Sequence, residues 1–244
     1  MSSSTSSATQ SGQPSQFNWG SYALPPAAAA VAIPFAFKDL MDKSAEQRGE
    51  LPKTTFSAGF KSGMKASPTV GMLISFQDML QGGVEKKLLG EDAQPTLPTK
   101  LASSALVGIV SSPVVAVFNG QTLKGGGVVD SLRKFSLRQG LAISFQEAAF
   151  VAGLSAAGLV AAPMKERFGD TKAVEYAAAF TSGAFGSLAG QPANTALTRW
   201  QSGQSVESAR QLMWGSMRKA RAIGLFSVLY KMGKETGTRF LESD

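Results

Sequence analysis

The sequence predicts an all-α integral membrane protein, six transmembrane helices arranged as three copies of a two-helix unit. Three observations predict it. Leu101–Leu123 and Tyr176–Thr198 hold no charged side chain, and each run reaches the roughly 20 helical residues that a bilayer core requires. Pro34, Pro113 and Pro192 recur at a constant interval of 79 residues, each after an apolar stretch of small residues. The octets Gly71–Asp78 and Gly140–Glu147 share Gly, Ile, Ser, Phe and Gln at one offset, and both end in a carboxylate. A fixed period of this length is the mark of a repeated supersecondary unit.

Composition narrows the function classes. A mean hydropathy of +0.02 in a chain with 24 Lys+Arg and 17 Asp+Glu requires those charges to be segregated along the sequence. Cysteine and histidine are both absent, which removes disulfides, thiolate ligands, the usual general base and the commonest metal ligand. The expectation is a protein that is not an enzyme and carries no cofactor or metal.

In chain order, residues 1–18 form a Ser-rich, uncharged tail whose composition buries too little to order itself. It lacks the Arg-rich pattern of a transit peptide, so no cleavable presequence is expected and organelle targeting would be internal. The first helix, 20–44, carries Ala27–Ile33 ahead of Pro34, and the second, 71–90, opens at Gly71. Helices 100–122 and 140–162 repeat that plan around Pro113 and Gly140, and helices 174–201 and 214–236 do so around Pro192 and Gly215. Proline within a helix removes a backbone bond, so three equally placed kinks are expected. Repeat one covers 19–97, repeat two 98–170 and repeat three 171–244.

Charge supports the layout. The segments joining the two helices of each repeat, with their flanks, hold fifteen basic and six acidic side chains. The opposite ends hold nine of each. An excess of Lys and Arg on one face is the asymmetry of the positive-inside rule. Topology therefore accounts for the basic residues, and nucleic acid is not an expected partner.

The run Gly183–Gln201 resembles the signature of the mitochondrial carrier family: a small-residue stretch, then Pro192, a position for an acid at Asn194, and basic and Gln positions at Arg199 and Gln201. Trp214-Gly215 followed by Arg218 and Arg221 is similar to the opening of that family's sixth helix. The resemblance implies a pseudo-threefold carrier-like bundle in the mitochondrial inner membrane, a transport function, and lipid partners that include cardiolipin, for which Lys65 and Arg138 are candidate contacts. It also implies closure of the central cavity by ion pairs between the acid two places after each Pro and the base five places after the next. Here the acid positions hold Ala36, Val115 and Asn194, the base positions Asp39, Phe118 and Leu197. No such ring of ion pairs can form. The opposite gate is altered too, since Tyr230-Lys231 puts a base where the family has an acid.

Asp78 and Glu147 are the two charges that belong to neither face, and they occupy equivalent places in two repeats. A carboxylate there is costly and usually faces water, a cation or another helix. By the resemblance, Asp78 and Glu147 would take a cationic or amino group, Arg221 with Arg218 a carboxylate or phosphate, and Gln77 and Gln146 would assist by hydrogen bonding. The other reading is structural, with both acids near helix starts complementing the backbone dipole or pairing with Arg218, Lys219 or Arg221. Two functions stay open: a transporter of a small polar, cationic or amino-acid-like solute, and a transport-inactive subunit or receptor in a protein complex.

Overall fold

The computed structural model describes residues 19–90, 96–124 and 136–242, and these are almost entirely helical with no strand. The helices are α1 (Trp19–Gln47), α2 (Phe56–Leu89), α3 (Leu97–Lys124), α4 (Leu137–Ser155), α5 (Ala157–Phe168), α6 (Lys172–Ala189), α7 (Gln191–Gln201) and α8 (Ser216–Glu242), with a 3₁₀ turn at Ala209–Met213. Since α4 runs into α5 and α6 into α7 with one residue between, they make six legs. Each leg packs on the next, and α8 packs on α1, closing a ring.

The starts of α2, α4 and α6 are set locally. Thr55, Ser136 and Thr171 each accept a hydrogen bond from the backbone N–H three residues on, satisfying one of the donors a helix start leaves open. The expected polar connector before Gly71 is largely helix instead, because α2 begins at Phe56. Gly59 and Gly63 let this early half of α2 lie against the backbone of Lys38 and Pro34 of α1, and that burial sustains the helix.

The three prolines are not equivalent. Pro113 sits inside an unbroken α3 and Pro34 is buried within α1. Only the third leg is interrupted at its proline: α6 ends at Ala189 and Pro192 lies in the first turn of α7, where a missing N–H costs nothing.

Among the described residues two stretches are long and apolar enough to cross a membrane by length and composition, Leu97–Ala116 and Leu137–Phe168, against the six expected. The other legs carry charges within their length, as α1 does at Lys38, Asp39, Asp42 and Lys43 and α8 at Arg218, Lys219 and Arg221. These lower the hydropathy of any window that includes them. The outward faces remain apolar, with Met72, Phe76, Ile109, Val110, Leu141 and Phe145 all exposed.

Alanine dominates the contact of α1 with α2 and α8, where Ala28, Ala29, Ala32 and Ala36 pack on Ile74, Ala222, Phe226 and Tyr230. A second apolar cluster joins Val115 of α3 to Ala142 and Ile143 of α4 and Leu197 of α7. The glycine run after Lys124, Lys134 and Asp92 lie outside the described residues.

Candidate functional site

Of the three residues two places after each proline, Ala36 and Val115 are apolar and Asn194 is polar, and the structure shows what Asn194 meets. Asn194, in the first turns of α7, accepts hydrogen bonds at Oδ1 from Lys43 Nζ at 2.8 Å and Gln47 Nε2 at 2.9 Å. Its own Nδ2 donates to Gln146 Oε1 at 2.6 Å. Lys43 lies four residues beyond Asp39, one helical turn further along α1. Asn194 thus meets α1 one turn beyond Asp39, through an amide and a lysine. Gly215 makes room for this: its positive φ of 73° admits a turn that lays it on the backbone and stem of Lys43.

From Asn194 the network continues inward. Gln146 Nε2 donates to Glu147 Oε1 at 3.2 Å, and Gln77 Nε2 donates to Glu147 Oε2 at 2.8 Å and to Ser111 Oγ at 3.3 Å. On the connector side Gln47 and Gln191 both donate to Thr195 Oγ1, Gln191 also to the Trp214 carbonyl, and Arg199 donates to the carbonyls of Gln47 and Ser205. Arg199 also lies over the Trp214 ring. Gln201, the last residue of α7, is half-buried. One buried polar plug therefore joins α1, α2, α3, α4 and α7.

The two acids of the repeated octet have different surroundings. Glu147 is 6 % exposed and its two oxygens are covered by Gln77 and Gln146. Asp78 is 37 % exposed at its side chain, accepts the Tyr230 hydroxyl at 2.8 Å and lies 3.7 Å from Lys234 Nζ. The difference comes from the partner helix: the Phe150–Phe226–Tyr230 ring stack aims the Tyr230 hydroxyl at Asp78. Equal places in a repeat do not make equal neighbours.

Arg218 and Arg221 are committed to α1. Arg221 makes two bonds to Asp39, at 2.7 and 2.5 Å, and Arg218 bonds Glu46 and approaches Asp42 at 3.7 Å. Asp42 also holds Lys38 at 2.6 Å and the Thr54 N–H. These pairs form a ladder along the α1–α8 seam, and Arg221 is turned away from the interior with 62 % of its side chain exposed. The signal was legible as spacing: Asp39, Asp42 and Glu46 lie on one helical face, as do Arg218 and Arg221. Lys43, Gln47, Tyr230 and Lys234 were not among the expected site residues.

A cavity of 140 Å³ lies inside the ring next to the plug, lined by Gln77, Asp78 and Gln81 of α2, Ser155 of α4 and Tyr230 and Lys234 of α8, with Ile74, Val151 and Leu154 as its apolar wall. Toward the end away from the connectors, Lys165 bridges Asp170 and Glu175, Lys172 bridges Glu175 and Glu235, and Lys231 bonds Glu235. On the connector face, Arg138 stacks over Trp200 at 3.5 Å beside an open cavity of 540 Å³ that Ser136 and Gln204 also line. Lys65 is exposed on α2.

Among the described residues no group of three or more acidic side chains could hold a metal ion. No family model matches the chain, and no curated protein matches it.

Proposed function

We propose that this chain is a carrier-like protein of the mitochondrial inner membrane, with six legs crossing the bilayer, that transports a small polar solute bearing a cationic or amino group. One observation carries the reading. A cavity enclosed by α2, α4 and α8 presents the half-exposed carboxylate of Asp78, while the polar plug closes the interior on the connector side. An intramembrane carboxylate that faces a cavity is a binding group by the cost of leaving it there otherwise. The organelle rests on the resemblance of Gly183–Gln201 to the carrier signature. The same resemblance makes the Arg138–Trp200 cavity the place for an anionic lipid headgroup such as that of cardiolipin.

Uptake into vesicles reconstituted with the full chain tests the reading, with a panel of labelled primary amines and basic amino acids as probes. Asp78→Asn is expected to abolish uptake while leaving the melting temperature nearly unchanged, because the substitution removes both a binding charge and its desolvation cost. Transport at the wild-type rate by the Asp78→Asn, Glu147→Gln double variant would sink the solute-site reading. The layout has its own test in a chain without cysteine. Single cysteines at Lys53 and Arg210 should be labelled from one side of the membrane and one at Asp170 from the other.

A second reading is favoured by the filled interior. The hydrogen bonds from Lys43 through Asn194, Gln146 and Glu147 to Gln77 describe a core as well as a gate. A transport-inactive subunit or receptor would show itself by purifying in mild detergent with a large assembly and by transporting none of the panel.

A further inference from the structure

The cavity at Asp78 has a chemical bias that its lining residues do not share individually. Each neutral donor in the polar lining is spent on another group. Gln77 Nε2 is used by Glu147 and Ser111, and Gln81 Nε2 faces Glu85, Ser103 and Ser104. The Ser155 hydroxyl donates to the Val151 carbonyl at 2.8 Å, and the Tyr230 hydroxyl donates to Asp78. What each can still offer is an acceptor: an amide oxygen from Gln77 and Gln81, lone pairs from Ser155 and Tyr230, and Asp78 Oδ1, which has no partner among the described residues. The charged donor in the lining is the Lys234 ammonium at the rim, 44 % exposed and 5.4 Å from the Tyr230 ring centre.

From this we propose that the cavity is a binding site for a compact monovalent cation, either an alkali ion or the primary ammonium of a solute, and that Lys234 is its tethered competitor. One carboxylate among neutral oxygens suits a single positive charge; divalent ions gather several acidic or carbonyl ligands. Donor-poor walls reject anions, whose oxygens would meet lone pairs. Lys234 reaches the same carboxylate from the rim at 3.7 Å, so its ammonium occupies part of the attraction that an entering cation would use. The proposal deepens the transport reading by naming the ligand class, and it rests on that reading only for the direction of movement.

The full-length chain in lipid nanodiscs is titrated at constant ionic strength with NaCl, KCl or methylammonium chloride against N-methylglucamine chloride, and the melting temperature is followed, since a ligand bound to the folded state raises it in proportion to occupancy. A saturable rise is expected with at least one compact cation and none with the bulky one. Asp78→Asn and, as a second variant that keeps the charge, Gln81→Leu should weaken it, and Lys234→Met should tighten it by about tenfold, the factor that 1.4 kcal/mol of removed competition gives. A response to methylammonium alone identifies the site with the solute's ammonium, and a response to sodium or potassium identifies a coupling ion. Equal response to all four salts, persistence in Asp78→Asn, or no tightening in Lys234→Met overturns the proposal. Loss of uptake with cation binding retained would count against transport and leave this site standing, and uptake without any saturable cation effect would do the reverse.

Discussion

Replacing Asn194 with Leu is expected to destabilise the protein by about 3–5 kcal/mol, the range seen when a buried charge, here the Lys43 ammonium, is left without its partner. For a chain of this size that is a fall in melting temperature of about 10 °C. Asn194 is 8 % exposed and holds Lys43, Gln47 and Gln146 at once. Leucine fills the volume but leaves a buried ammonium and two amide groups without their partner, each at a cost of about 1–3 kcal/mol. Asn194→Asp should lose much less, because a carboxylate can still take both Lys43 and Gln47 and gives up only the bond donated to Gln146. Thermal unfolding in detergent reads both variants. A shift for Asn194→Leu no larger than that for Asn194→Asp would show that the plug does not hold the ring closed.

The second large effect concerns backbone contact between legs. A Cβ on Gly108 would stand 2.4 Å from the Ser144 carbonyl and 2.7 Å from the Ala148 nitrogen, and one on Gly186 would stand 2.6 Å from the Ala149 carbonyl and from Gly153 Cα. These neighbours are backbone and cannot turn aside. Gly108→Val should therefore push α3 off α4, and Gly186→Val should push α6 off α4. Each should cost at least the roughly 1–3 kcal/mol of ordinary overpacking and appear as loss of the monodisperse peak on size exclusion. Gly82 is the internal control, with nothing within 4 Å of a built Cβ. Gly82→Ala should be neutral or stabilise by about 0.5–1 kcal/mol, the difference in helix entropy.

Helix positions were legible because they depend on local order. The expected spans 20–44, 100–122, 140–162 and 174–201 each fall within a helical leg of the structure, since charge-free runs and capping residues act within a few positions of themselves. The start of α2 at Phe56 was not legible. Its early turns are held by the approach of Gly59 and Gly63 to α1, a contact made across the fold.

For the site, composition and repeat spacing singled out Asp78, Glu147, Gln77 and Gln146, and all four lie in the interior plug or its cavity. The pairing of those residues was beyond reach of spacing alone. Whether a carboxylate meets an amide, a hydroxyl or an ammonium depends on which residue of another helix arrives at its level. That level is set by the tilt and rise of α1 and α8 against their neighbours. The docking of α1 brings Lys43 and Gln47 to Asn194 and commits Arg218 and Arg221 of α8 to the α1 seam. The sequence by itself determined an all-helical chain and the kinds of polar group inside it, because hydropathy and periodicity are properties of short segments. Only the tertiary structure decided that Glu147 is sealed and Asp78 open, because burial and partnership are set by the packing of side chains from helices more than 60 residues apart in the chain.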